Sequence, residues 1–330
     1  MNFLKNLFFK LLGLLVFAGC DPKYRNGIYP ETVANLEFLN SPFDDVNSDI
    51  STHNDGFMLT YSSNAPSQGQ RFELVARSFL AIWDQETGVL RLDAKWGQGP
   101  VNVQRLAKSP CNQKGPYTVR SKTGVVSLFY STDCNGTYKI YHGDSELSAF
   151  DKDSNNLKLF ESESNEMYPS FYGKNFLKSI PIGQYGNGFP EKLLFSSDVE
   201  GKFNIYEVDY PFNGESGLLF DQSIAGNPTK LSLNSDGNDH APSVFGDLLV
   251  FASDRPGGFG GYDLYYTKNI NGTWTTPINC GERINSAYNE FRPVVNSEHF
   301  GFTNQLIIFS SDRPGGKGGF DLYYVGIPKN

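Results

Sequence analysis

Short apolar runs alternate along this chain with polar, glycine-bearing turns, and the runs come in pairs. The clearest pairs are Phe251 to Tyr266 and, 58 positions later, Phe309 to Tyr324. Each reads as a hydrophobic strand, a Ser-Asp-Arg-Pro turn with four glycines, and an outgoing strand that alternates aromatic and aliphatic residues, which is the pattern of a β-hairpin. Three weaker copies lie upstream. Phe57 to Asn64 leads to Phe72-Glu73-Leu74-Val75, Val126 to Asp133 leads to Tyr138-Lys139-Ile140-Tyr141, and Leu193 to Asp198 leads to Phe203-Asn204-Ile205-Tyr206. The outgoing strands start at Phe72, Tyr138, Phe203, Tyr262 and Phe320, in steps of 66, 65, 59 and 58 residues. Five like units at near-constant spacing predict a repeat fold.

A second phrase precedes four of the hairpins: Asn112 to Pro116, Asn165 to Pro169, Asn238 to Pro242 and Asn289 to Pro293. Its form is Asn, an acid or amide, two variable residues, Pro, and it opens a short strand that tolerates proline near its start. A fourth strand is expected at Val103 to Ala107, Leu157 to Phe160, Thr229 to Leu233 and Thr275 to Asn279. Four strands per unit and five units predict an all-β, five-bladed β-propeller of antiparallel blades. The last unit ends without a fourth strand, and Val33 to Ser41 supplies a matching segment at the other end, where Leu39 to Phe43 echoes Ile284 to Tyr288. An N-terminal strand is thus expected to close the last blade and leave no open sheet edge.

Composition agrees with strands and turns: aromatics are 15%, with 34 Gly and 18 Pro against 3 Met. The net charge of -8 and the lack of a basic stripe argue against nucleic acid as a partner. Met1 to Gly19 has lysines at Lys5 and Lys10 and an apolar run from Leu11 to Ala18, too short for a permanent bilayer span, and reads as an export signal. Val16 to Cys20 resembles the lipobox of bacterial lipoproteins, with Phe17 departing from the usual aliphatic residue, so Cys20 is the expected lipidated N-terminus. An ordinary secretory signal with an incidental cysteine is the alternative. The expected domains are a signal peptide over 1–19, the lipidated cysteine and tether over 20–30, and the propeller over 31–330. The expected place is the envelope of a Gram-negative bacterium, lipid-anchored, with the outer membrane as leading assignment.

Phe195 to Tyr206 resembles the WD40-like (PD40) repeat of the TolB propeller, and the Asp-Arg-Pro-Gly-Gly phrases resemble variants of that repeat in bacterial envelope proteins. The resemblance covers about Glu31 to Gly326. It implies a non-enzymatic envelope lipoprotein that serves as a protein–protein scaffold, with another envelope protein as partner and the membrane engaged through the lipid anchor. A glycan-binding or glycan-cleaving five-bladed propeller is the alternative.

Up-and-down strands put the hairpin turns and the Asn-x-x-x-Pro segments on one face, and longer irregular loops on the other. Those loops carry Trp83, Trp96, Phe176, Tyr185, Phe189 and Phe212, which either present a binding surface or fold back to fill gaps at blade edges. Cys111 and Cys134 fall close together in the second blade, where a disulfide suits an exported protein, and Cys280 is left as a buried thiol. Asp254 with Asp263, and Asp312 with Asp321, flank the glycine-rich turns in a way that loosely suggests calcium. Calcium needs about six or more oxygen ligands, and Asp133 and Asp198 occupy the first place in shorter turns, so these six aspartates read as structural turn residues and no cofactor is expected. Catalysis finds little support: no Gly-x-Ser-x-Gly elbow occurs, and His53, His142, His240 and His299 lack metal-ligand spacing. Glycoside cleavage would need carboxylates converging on the axis; Asp45, Glu166, Asp239 and Glu290 start innermost strands, but their recurrence at equivalent places favours a structural role.

Overall fold

The computed structural model describes residues 26–53, 56–98, 107, 109–120, 126–145, 155–156, 159–160, 163–174, 176, 190–210, 227–296 and 302–329. The segment expected as an export signal, 1–19, and Cys20 lie outside the described residues.

The chain forms five antiparallel sheets arranged as the blades of a propeller. Strand β1 (Ala34–Asn35) comes first. Blade 1 is β2 (Asp45–His53), β3 (Gly56–Ser63), β4 (Glu73–Trp83) and β5 (Leu90–Gln98). Blade 2 is β6 (Gln113–Arg120), β7 (Val126–Thr132), β8 (Lys139–Ser145) and β9 (Asn155–Asn156). Blade 3 is β10 (Glu166–Tyr172), β11 (Lys192–Ser197), β12 (Asn204–Asp209) and β13 (Thr229–Lys230). Blade 4 is β14 (Asp239–Phe245), β15 (Leu248–Ser253) and β16 (Asp263–Ile270), edged by β17 (Thr273–Trp274) and β18 (Ile278–Asn279). Blade 5 is β19 (Glu290–Asn296), β20 (Asn304–Ser311) and β21 (Asp321–Pro328), and β1 is its fourth strand, pairing Ala34 with Tyr324 and Asn35 with Tyr323.

The hydrophobic code of the second strands explains why blades stack. Leu193 to Phe195, Leu248 to Ala252 and Leu306 to Phe309 are continuous apolar runs because both sheet faces are covered. Successive side chains go to opposite seams: Leu249 and Phe251 join the cluster shared with blade 3, while Leu248, Val250 and Ala252 join the one shared with blade 5. Leu306 and Ile308 pack toward blade 1, Ile307 and Phe309 toward blade 4. Each seam therefore has its own core, and a sixth small cluster of Met167, Tyr168 and Ala241 lies centrally.

The fourth strands differ from expectation. In blade 1 the strand is Leu90–Gln98, not Val103 to Ala107, because β4 runs on to Trp83 and turns straight back. Residues 101–106 lie outside the described residues. In blades 3 to 5 the ladder is only two residues long on its outer edge because an asparagine side chain takes over. Asn40 accepts from Leu322 N at 2.8 Å and donates to Leu322 O at 3.0 Å. Asn234 does the same to Ile205, at 2.7 and 2.8 Å, and Asn285 to Leu264, at 2.8 and 3.0 Å. An amide side chain has the donor and acceptor of a peptide group, so it substitutes for one rung.

Candidate functional site

Each innermost strand slips register after its second residue, between Val46 and Asp49, Lys114 and Tyr117, Met167 and Ser170, His240 and Ser243, and Phe291 and Val294. The first residue of each bulge is left-handed: Asn47 (φ 57°), Gly115 (60°), Tyr168 (59°), Ala241 (55°) and Arg292 (46°). For Tyr, Ala and Arg that conformation costs about 1–2 kcal/mol each, so something must hold it. Serines of the preceding blade's second strand do so: Asn47 N donates to Ser310 Oγ (3.0 Å), Tyr168 N to Ser131 Oγ (3.3 Å) and Ala241 N to Ser196 Oγ (2.8 Å). Five left-handed positions around one axis are where a propeller can aim side chains inward.

Arg292 shows how far inward. Its Nη1 donates to the carbonyl of Pro242 in blade 4 and its Nη2 to that of Pro116 in blade 2, both at 3.0 Å, while its guanidinium faces the ring of Tyr168 from blade 3 at 5.4 Å. One blade-5 side chain thus ties three other blades across the axis. It is 1% exposed, its Nε has no hydrogen-bond partner, and no carboxylate among the described residues pairs with it. Burial lowers its pKa to about 10, so it stays cationic at neutral pH. Gly115 is required beneath, since a Cβ there would strike the Tyr168 ring.

Two interleaved sets of side chains surround this floor on the hairpin face. One is the second residue of each innermost strand: Val46, Lys114, Met167, His240 and Phe291. The other is the residue entering each third strand: Phe72, Tyr138, Phe203, Tyr262 and Phe320. Lys114 Nζ sits 4.5 Å from the centre of the Phe72 ring and 5.7 Å from that of Tyr138. His240 packs against Phe203 (3.9 Å between centroids), Tyr168 (5.0 Å) and Phe291 (5.2 Å), and Tyr262 stands edge-on to Phe291 at 5.2 Å. Phe72, Lys114, Tyr138, Phe203, Tyr262 and Phe291 are only partly buried, so the set forms an aromatic funnel rather than a sealed core. Burial, then the charges of Arg292 and Lys114, pulls the His240 pKa down to about 3, so this imidazole is neutral. Burial likewise raises the Tyr138 and Tyr262 phenols to about 12.

The acids at the strand starts point elsewhere. Asp45, Glu166, Asp239 and Glu290 are each at most 1% exposed. Arg255 pairs with Asp239 at 2.5 Å, Arg313 with Glu290 at 2.9 Å and Lys139 with Glu166 at 2.7 Å. The backbone N–H of Ser41, Ser235 and Ser286 donates to Asp45, Asp239 and Glu290 respectively. In blade 2 the equivalent Gln113 accepts from Leu74 N and donates to Ala107 O. These groups latch the incoming loop to its blade, and burial raises the pKa of Asp45 and Glu166.

The hairpin aspartates form a second ring. Asp133, Asp198, Asp254 and Asp312 each accept from the backbone N–H and side-chain amide of Asn112, Asn165, Asn238 and Asn289, at 2.6–2.9 Å. Each asparagine in turn accepts from the preceding blade, from Phe72, Tyr138, Phe203 and Tyr262 N. Blade 1 has the pair exchanged: Asp44 accepts from Phe320 N at 2.9 Å, and Asn64 accepts from Asp44 N at 2.8 Å. Asp263 and Asp321 instead cap their own turns, taking Phe259 N and Gly260 N, and Lys317 N and Gly318 N. Of the four glycines in each long turn only the first, Gly257 or Gly315, has positive φ. The others make room, with Gly260 against Tyr288 O and Gly318 against Phe43 O. Among the described residues no three His, Cys, Asp or Glu side chains gather as a metal site.

Of the six loop aromatics, Trp83 is 37% exposed and lies 6.3 Å from Phe302, whereas Phe176 is buried in the core between blades 2 and 3. The Trp96 side chain, Tyr185, Phe189 and Phe212 lie outside the described residues. Cys111 and Cys134 are disulfide-bonded, and Cys280 is a free thiol whose pKa burial raises to about 12. Sequence reasoning missed Lys114, Tyr168, His240 and Arg292 as a group. Their signal was present: they are the two variable residues inside the otherwise constant Asn-x-x-x-Pro phrase.

No protein-family model and no curated protein matches the sequence. Solved structures do share the fold. An α-L-arabinofuranosidase from Podospora anserina in complex with cellotriose superposes with a TM-score of 0.53 at 10% identity, over 93% of this chain and 98% of that one. A thermostable family-43 glycoside hydrolase gives 0.50 at 13% identity, over 86% and 90%. A GH62 hydrolase in complex with xylotriose gives 0.50 at 9% identity, over 92% and 97%. At such identities the likeness establishes the five-bladed propeller alone. It nevertheless overturns the TolB-type (PD40, WD40-like) resemblance, and with it the protein–protein scaffold and envelope-protein partner drawn from that resemblance. Repeated hairpins with Ser-Ser-Asp turns are a solution to stacking blades, and they do not by themselves identify which propellers a chain belongs with.

Proposed function

We propose that the chain is a glycan-directed propeller that binds carbohydrate in the axial funnel of its hairpin face. The observation that carries this is the ring of partly buried aromatic side chains converging on the axis, Phe72, Tyr138, Phe203, Tyr262 and Phe291 above Tyr168. A sugar presents apolar C–H faces that pack on aromatic rings and hydroxyls that need a few placed polar groups, and a concave aromatic site with such groups offers both. Support also comes from the fold, shared with propellers solved in complex with cellotriose and xylotriose.

Binding rather than cleavage is the reading the described residues favour. Hydrolysis takes two carboxylates about 5–9.5 Å apart across the scissile bond. The five axial positions hold Asn47, Gly115, Tyr168, Ala241 and Arg292, none of them an acid. Glu166, Asp239 and Glu290 are consumed in latches, and Asp49, buried on the innermost strand of blade 1, accepts from the N–H and hydroxyl of Thr118. A glycan array and a reducing-sugar assay on residues 26–330 test both parts. Retention of one glycan class without sugar release is expected; release abolished by Glu290→Gln would overturn the binding reading. Location at the cell envelope through a lipid on Cys20 belongs to the same proposal, and Cys20→Ala should move the protein from the membrane to the soluble fraction.

A further inference from the structure

The funnel's charge points to a class of sugar. Two cations stand at its centre without acidic partners. Arg292, 1% exposed, spends Nη1 and Nη2 on carbonyls, leaves Nε unpartnered, and pairs with no carboxylate among the described residues. An uncompensated buried charge is costly, and the cost is relieved by an anion placed beside it. Lys114 lies at the wall, half-buried between Phe72 and Tyr138, with neither an ion pair nor a hydrogen-bond acceptor among the described residues. Acids do occur nearby, but at the rim. Asp44 and Asp133 bear on Lys114 from outside and are each held in an Asn–Asp clamp, and Asp239 is neutralised by Arg255. Deeper in, the charges acting on His240 are those of Arg292 and Lys114, while the buried Asp49 of blade 1 is held by the N–H and hydroxyl of Thr118 and, among the described residues, forms no ion pair with either cation. Aromatic walls exclude water around both cations, which strengthens their pull on an anion relative to bulk solution.

Resting on the glycan reading above, we propose that the funnel selects an acidic sugar, one bearing a carboxylate or a sulfate ester, whose anionic oxygens are met by Lys114 at the wall over the positive Arg292 floor. Arginine's planar fork and the lysine ammonium both suit such oxygens. Neutral sugars, lacking an anion, would leave the two charges uncompensated and bind more weakly.

The test is calorimetric titration of residues 26–330 with three oligosaccharides of equal length: oligogalacturonate, a sulfated galactan and a neutral galactan. Lys114→Met, which keeps the aromatic packing, is titrated alongside, and thermal melting confirms its fold. We expect at least one acidic ligand to bind about ten-fold or more tighter than the neutral one, equivalent to about 1.4 kcal/mol, with the ratio falling toward one in Lys114→Met and in high salt. Which acidic ligand wins tells carboxylate from sulfate recognition. Equal or tighter binding of the neutral galactan, or a ratio untouched by Lys114→Met, overturns the acidic-sugar inference and leaves the glycan site standing. Binding of none of the three overturns both.

Discussion

Single residues in this propeller are constrained by what lies across a seam as well as by their own backbone. The long turns show it. Gly257 is needed for its φ of 92°, yet a Cβ there meets nothing within 4 Å, whereas a Cβ on Gly260 would collide with the backbone of Tyr288 in the next loop. Gly257→Ala should therefore cost about 1–2 kcal/mol. Gly260→Ala should cost more, about 2–3 kcal/mol, since backbone must shift to relieve the clash, and comparison of their thermal melts checks the order. His240 gives a pH signature. Its folded pKa of about 3 lies below the unfolded value near 6.5, so the unfolded chain binds the extra proton between them. The stability it contributes is complete above about pH 6.5 and is lost as pH falls toward 3. His240→Phe should flatten that limb of the pH–stability curve, and an unchanged slope would remove the imidazole from the acid response.

At the scale of elements, the repeat explains both what the sequence revealed and what it hid. Five hairpins at steady spacing and a spare strand at the N-terminus are properties of the chain's order, so the blade count and the closure by β1 could be read directly. The short fourth strands could not, because Asn40, Asn234 and Asn285 replace ladder rungs with side chains that carry no strand-like pattern. Their Leu/Ile-Asn-Ser setting, at Leu39, Leu233 and Ile284, recurs plainly once its role is known. The funnel was hidden for a different reason. Its residues differ from blade to blade, and a search for repeats discards what varies. Blade 1 provides a natural control for the Asn–Asp clamp, with acid and amide exchanged between Asp44 and Asn64. Asp312→Asn alone should cost about 1–3 kcal/mol through an unsatisfied amide. The exchange Asn289→Asp with Asp312→Asn should recover much of that loss in a double-mutant cycle. Deletion of Val33 to Asn40 should lower the melting temperature of the whole domain as one cooperative transition, because it exposes the β21 edge and removes Leu36 and Leu39 from the core between blades 5 and 1.

The whole molecule divides its labour between two rings and an axis. Asn–Asp clamps between neighbouring blades, with acid–cation latches at the innermost strands of blades 3 to 5, hold the frame. The left-handed bulges turn a side chain inward in every blade but the second, where the residue is Gly115. Distinctive sequence thus serves the frame, and the least distinctive positions line the axial funnel. The two faces also separate cleanly: the aromatic funnel opens among the hairpin turns, and Trp83 marks the far side. The central claim, that carbohydrate binds in the funnel, is tested most directly by titrating residues 26–330 with the glycan retained on an array, using Tyr262→Ala and Trp83→Ala side by side, each shown folded by thermal melting. The account predicts a loss of ten-fold or more in affinity for Tyr262→Ala and wild-type affinity for Trp83→Ala. Binding that survives Tyr262→Ala and is lost with Trp83→Ala would place the site on the opposite face and contradict it.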